Sequence, residues 1–349
     1  QVKIQRSCGM EVGMKRDIKR YNAIFWGLVI LLFSITGCGN KKEEMTGINI
    51  TALKGPTAMG MVKLMKESEE DSPNDSWQFT IAASVDEVTP KLLQGETDIA
   101  AIPANLASVL YHNTEGQIQV LAINTLGVLY IVDMDGSVRS AEDLRGRTIY
   151  ASGKGATPEF ALEYILSANG IDSEKDLTVE WKSEHSECVS ALAGFSSEDS
   201  GNGAVALLPQ PFVAAAQAKN ENIRIALDLT QEWDKLQESA DQGAMITGVI
   251  VGRKEFIEEN PEAVKKFMDA YKESVEYVNQ HVEEASALIE EYNIVSAAVA
   301  EKALPYCNIV FIEGEEMKNK LSGYLNVLAE QNPKSIGGKI PEDEFYYFR

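Results

Sequence analysis

Four short stretches carry the residue types that could hold a small solute: LKGPTAMG (53–60), AIPANLAS (101–108), SGKGATPEF (152–160) and LLPQPFVA (207–214). Each follows an apolar, β-rich run and leads into a helical pattern. Each also has a proline, Pro56, Pro103, Pro158 or Pro211, near the expected first helical turn, where a missing N–H costs little. The first N–H groups of a helix have no intrahelical acceptor and lie at the positive end of its dipole, so such turns can hold an anionic or polar group. Thr57, Asn105 and Thr157 add hydroxyl or amide groups, and Lys54 and Lys154 are the strong cations of these loops. No Arg occurs in any of the four, so the planar, bidentate clamp that favours carboxylate or phosphate is missing. Helix capping alone explains Thr, Asn and Pro at any single turn. Taken together, the four offer the same kind of opening twice in each half of the chain.

Catalytic spacings are missing. There is no GxSxG and no GxxxxGK[ST]; SGKGAT has the composition of a phosphate loop without its spacing. The three histidines, His112, His185 and His281, are far apart, and neither HExxH nor paired CxxC is present, so no metal and no cofactor is expected. Phe160 and Phe212 follow the two later loops and either flank a flat or apolar ligand or pack as core residues of their helices. Met59, Met61 and Met65 read as helix packing. Asp133-Met134-Asp135-Gly136 reads as a hairpin turn, because the remaining ligands of an EF-type calcium loop are missing.

The elements that must position these turns alternate. From Ile48 onward, INITAL, WQFTIAA and DIAAIPA each precede a helical pattern; RTIYASG, LTVEWKS and GAVALLP do so again, followed by IRIALDL. This is the signature of an α/β fold with parallel sheets covered by helices on both faces. IQVLAINTLGVLYIVD is too long for one strand and reads as two strands meeting at a crossing between lobes, while GAMITGVIVGRKEF, with Gly248 at its centre, suits the return. The division expected is therefore 48–124 with 249–349 as lobe one and 125–248 as lobe two. SSEDSGNG is a surface loop, and the mainly helical end of the chain is expected to pack back on lobe one.

Charge and cysteines bound the setting. With 32 Lys and Arg against 53 Asp and Glu, the net charge is −21, which excludes the basic face that nucleic-acid phosphates require. Lys15, Arg16, Lys19 and Arg20 precede an apolar stretch over 23–35, too short to cross a bilayer as a helix but suited to a secretory signal. Ile35-Thr36-Gly37-Cys38 then resembles a bacterial lipobox. Residues 1–37 are therefore expected to be a signal and upstream extension, with Met14 as the start. Cys38 is the lipidation site, and the stretch to residue 47 is a polar tether. Two acyl chains, at about 0.8 kcal/mol per buried methylene, hold a protein stably on a membrane. Cys188 and Cys307 are expected to be separate packed thiols, although a disulfide is permitted outside the cytoplasm.

In their order along the chain, LKGPTAMGMVKLM, LLQGETDIAAIPANLA, AEDLRGRTIYASGKGATPEFALEYIL and RKEFIEENPEAVKKFMDAY resemble the solute-binding lipoproteins of ABC importers, in the nitrate/sulfonate/taurine and thiamine-pyrimidine-precursor branch. The resemblance covers nearly all of the chain after Gly47. It implies a two-lobed type II periplasmic-binding-protein-like fold with two crossing hinge strands and a ligand in the interlobe cleft. By position, it implies contacts at Gly55, Pro56, Thr57 and Ala58 beside Lys54; at Pro103, Ala104 and Asn105; at Lys154, Gly155, Ala156 and Thr157; and at Pro209, Gln210 and Pro211. The Gly155-Ala156-Thr157 loop departs from the Gly-Ser that sulfonate binders often show, which leaves a sulfonate- or nitrate-like anion and a pyrimidine-like compound both open. The implied partners are a small-molecule ligand and an ABC permease and ATPase complex, for a monomer lipid-anchored on the extracytoplasmic side of the bacterial cell membrane. The alternatives are an enzyme of pyrimidine or menaquinone precursor metabolism on the same fold, or a surface sensor that binds a protein partner.

Overall fold

The apolar runs of the sequence form strands β1 (Asn49–Leu53), β2 (Gln78–Ala82), β3 (Ile99–Pro103), β4 (Ile118–Leu126), β5 (Leu129–Asp133), β6 (Thr148–Ser152), β7 (Thr178–Lys182), β8 (Ala204–Pro209), β9 (Arg224–Asp228), β10 (Ile246–Arg253) and β11 (Ile309–Ile312). This is a computed structural model, and it describes residues 47–70, 77–195, 203–237 and 243–349. The expected signal, Cys38, the tether to residue 46 and residues 196–202 of the surface loop lie outside the described residues. Among the described residues, no helix is long and apolar enough to cross a membrane.

The strands form two sheets, one of six strands in the order β11-β4-β10-β3-β1-β2 and one of five in the order β7-β6-β8-β5-β9. Residues of β5 are buried along its whole length, and β3 and β8 are buried at every position except their terminal prolines, because helices cover both faces. The expectation of parallel sheets holds only in part. β2-β1-β3 and β7-β6-β8 are parallel, whereas β10 runs antiparallel to β3 and β4, and β5 runs antiparallel to β8 and β9. The exchange of chain between sheets is the reason. β4 and β9 carry the chain out of their sheets, so β5 and β10 arrive from the opposite side and must run away from the gap that the other strands approach.

Passage from the first sheet to the second takes place at Gly127–Val128, between β4 and β5. Thr125 pairs with Gly248 and with Ile309, so both of these central residues lie within the six-stranded sheet. A Cβ on Gly127 would stand 2.1 Å from Thr230 Oγ1 and 2.2 Å from Met245 Cε, a close approach that only glycine permits.

The first helical pattern divides into Pro56–Met59 and Val62–Glu70 at Gly60. Gly60 lets the Tyr271 hydroxyl and Ile309 close in, to 3.1 and 2.9 Å of where its Cβ would be, and Ser274 Oγ donates to its carbonyl. Met59, Met61 and Met65 pack in this core. The Asp133–Gly136 stretch is not a hairpin turn, because β5 and β6 are not neighbours in their sheet. It is a loop held by Asp133, whose Oδ2 accepts from the Val138 amide at 3.1 Å and from Arg224 at 2.8 Å. Cys188 and Cys307 are both free and buried; burial pushes the Cys307 thiol up to about 12.

The helical end of the chain packs on the first sheet and reaches across to the second. Helix Ala297–Ala303 lies against helix Phe212–Lys219. Helix Gly314–Gln331 places the fully buried Tyr324 with its ring 5.7 Å from that of Trp233 and its hydroxyl donating to Thr157 Oγ1 at 3.2 Å.

Candidate functional site

Strands that end facing the same gap deliver their following helices to it, the arrangement in which open α/β sheets bind ligands. In the six-stranded sheet β1, β2 and β3 lead to helices Pro56–Met59, Val85–Gln94 and Ala104–Asn113; in the five-stranded sheet β6, β7 and β8 lead to Thr157–Ala168, His185–Gly194 and Phe212–Lys219. Residues at all six entrances line two adjoining cavities of about 440 and 350 Å³. Pro103, Val128, His185, Pro209 and Thr247 line both, so the two are one cleft between the sheets.

The turns singled out in the sequence reach this cleft unequally. Lys54, Gly55, Pro56 and Thr57 line it, as do Pro103 and Asn105, Ala156 to Pro158, and Pro209 to Pro211, where the Gln210–Pro211 peptide is cis. Ala58 and Ala104 do not: both are fully buried behind their turns, as second-layer packing of short helix starts requires. Nor do Lys154 and Gly155. Gly153 and Gly155 both take positive φ, and this turn carries Lys154 to a separate concavity with Glu159, Glu163 and Glu174.

Two polar side chains on the first-sheet wall, Thr57 and Asn105, are held by the protein itself. Thr57 Oγ1 donates to the Leu53 carbonyl at 2.7 Å, and Asn105 Nδ2 donates to the Ser335 carbonyl at 3.2 Å. Neither caps its helix through its side chain. On the opposite wall, Gln210 Oε1 accepts from the Ala214 amide at 3.3 Å.

Two polar lining groups were not singled out from sequence as site residues. His185 starts its helix; its Nδ1 meets Ser152 Oγ at 2.5 Å, and its ring lies 4.6 Å from that of Phe212 at 48°. Burial holds its imidazole below the usual range, against a weaker upward pull from Glu184, so the ring is neutral at neutral pH. Thr247, second residue of β10, has a buried Oγ1 with no hydrogen-bond partner among the described residues. The signal for His185 was available: KSEHSECV follows a strand just as the proline-bearing turns do, but without proline. No local pattern marks Thr247.

Phe160 and Phe212 part company. Phe160 is core, whereas Phe212 is 40 % exposed and lines the cleft. The pair Ser152–His185 has the residue types of a nucleophile and its base. Ser152 is buried, however, and no carboxylate is bonded to His185 among the described residues, so the orienting partner of such a dyad is missing.

Two α/β sheets that exchange strands, with helix entrances from both converging on one cleft, define a two-lobed solute-binding protein. The sequence model described as ABC transporter, phosphonate, periplasmic substrate-binding protein matches residues 64–303, and the chain belongs to this family. It is the periplasmic solute-binding component of an ABC transporter. Solved structures with the same fold include an ABC transporter protein from Parabacteroides distasonis, at TM-score 0.70 and 23% identity over 87% of this chain and 99% of that one. The periplasmic aliphatic sulphonate binding protein SsuA from Escherichia coli superposes at TM-score 0.62 and 14% identity, over 83% of this chain and 90% of that one. The alkanesulfonate-binding protein SsuA from Xanthomonas axonopodis pv. citri, bound to MOPS, does so at 0.59 and 13% identity, over 85% and 94%. No curated protein is a significant match.

Proposed function

We propose that the protein, lipid-anchored through Cys38 on the outer side of the cell membrane, captures a small organic solute between its lobes and hands it to an ABC permease and ATPase complex as a non-catalytic monomer. The observation that carries this reading is the convergence of helix entrances from both sheets on one cleft. A solute touching both walls binds the closed arrangement better than an open one, and that differential affinity drives closure. The proposed hinge is Gly127–Val128 together with Gly243–Met245 just ahead of β10, a few residues from the 124/125 and 248/249 divisions read from the sequence. The residues proposed to touch solute are Lys54 to Thr57, Pro103, Asn105, Ala156, Thr157 and Pro209 to Pro211, joined by His185, Phe212 and Thr247.

The test is a panel of candidate solutes scored by thermal midpoint and by radius of gyration in solution. A true solute raises the first and lowers the second; a panel in which neither moves removes the support for capture of those compounds. Anchoring is tested separately: Cys38→Ser is expected to move the protein from the membrane fraction to the soluble extracytoplasmic fraction.

A further inference from the structure

The charge of the solute follows from the charges and donors placed around the cleft. An oxyanion site needs free N–H groups at helix starts, or a cation held against the ligand. At three of the six entrances a carboxylate of the chain, in each case the third residue of the helix, accepts from an amide of the turn just ahead of the helix. Glu159 Oε2 accepts from the Gly155 amide at 2.6 Å, Glu87 Oε2 from the Ala83 amide at 3.2 Å, and Glu187 Oε2 from the Ser183 amide at 2.9 Å. Each places negative charge where an incoming anion would seek positive potential. The Thr57 hydroxyl proton and an Asn105 amide hydrogen are directed to carbonyls. The lining residues include no Arg, and their one fixed cation, Lys54, is exposed to solvent.

What the cleft does offer is neutral. Its walls are prolines, valines and leucines, with one large ring, Phe212, exposed beside His185. Ser152 engages Nδ1 of His185, which leaves Nε2 as the nitrogen not held by the protein. A neutral imidazole presents either a donor or an acceptor there, according to its tautomer. Thr247 also lines the cleft, but its Oγ1 is buried away from the cavity, so the free imidazole nitrogen is the polar point on offer.

We propose that this cleft selects an uncharged, flat solute that stacks on Phe212 and hydrogen-bonds through one edge to His185 Nε2, and that it discriminates against small oxyanions. The inference rests on the capture reading above and adds the class of solute.

Isothermal titration of the full chain with probes of similar size tests it: nicotinamide, benzamide and cytosine as flat neutral solutes, against nicotinate, benzenesulfonate and ethanesulfonate as anions. We expect the neutral probes to bind more tightly, with His185→Ala weakening them about 10-fold through the lost hydrogen bond. Phe212→Ala is expected to weaken them by about 2- to 10-fold through lost stacking. Phe212 is exposed, so its variant keeps the test valid if His185→Ala fails to fold. Glu159→Gln, which removes a negative charge beside the Thr157 helix start, is expected to raise anion affinity by about 2- to 5-fold. Anions that bind better than neutral probes, or neutral binding indifferent to both ring variants, overturn the proposed solute class and leave capture standing. If no probe binds, the small molecules released from gently purified, denatured protein decide. A flat neutral compound supports the proposal, a charged or non-planar one overturns it, and none at all overturns both the proposal and capture.

Discussion

On the first-sheet wall of the cleft, Thr57 and Asn105 are tied back into the fold, Thr57 to the Leu53 carbonyl and Asn105 to the carbonyl of Ser335 in the C-terminal segment. On the second-sheet wall, His185 is held by one nitrogen only, and Phe212 is exposed. The first wall is thus a surface whose shape is set by backbone turns and prolines; the second supplies side chains still able to make contacts. Substitutions on the two walls should therefore separate stability from recognition, and the measurements below can break that division.

The largest effect is expected at Gly248. A Cβ there would stand 2.6 Å from both Asn124 Oδ1 and Thr57 Cγ2, so Gly248→Ala should displace the Leu53–Thr57 turn and cost about 1–3 kcal/mol of stability by overpacking. Urea unfolding measures it, and an unchanged midpoint would show that the first wall is more compliant than its contacts imply. Asn105→Ala is expected to cost about 1 kcal/mol through the lost bond to Ser335. If it lowers solute affinity without lowering stability, the first wall recognises solute after all.

Tyr324→Phe removes the hydroxyl that joins the C-terminal helix to Thr157, and should cost about 0.5–1.5 kcal/mol. Phe212→Ala, by contrast, should move the unfolding midpoint little, because the ring is 40 % exposed.

The smallest effect concerns acid. Burial lowers the folded-state pKa of His185 from 6.5, so the unfolded chain takes up the proton first as pH falls. Its contribution to stability is present above about 6.5 and is lost as pH drops through that value towards the lowered one. His185→Gln should therefore flatten the fall in thermal midpoint between about pH 7 and 5. An equal slope in both proteins would mean that the ring is not buried in solution.

Several of these features were legible in the residues. Pro56, Pro103, Pro158 and Pro211 marked helix starts because proline fits a first turn at little cost, and the alternation of apolar runs with helical patterns gave an α/β architecture in two parts. Antiparallel β5 and β10 were not legible, since strand direction follows from which side the chain enters a sheet. The same limit hid the failure of Asp133–Gly136 to form a hairpin, which depended on β8 and β9, rather than β6, flanking β5.

Local chemistry therefore determined, from the sequence alone, where the helices behind the four proline-bearing turns begin. Only the tertiary structure decided which of those beginnings share a cleft. It turned Lys154 to another concavity, hid Ala58 and Ala104, and brought Thr247 and His185, 62 residues apart in sequence, to one cavity. The reason is that the direction of a side chain depends on how two sheets exchange strands, and the partners that set this direction are remote in sequence.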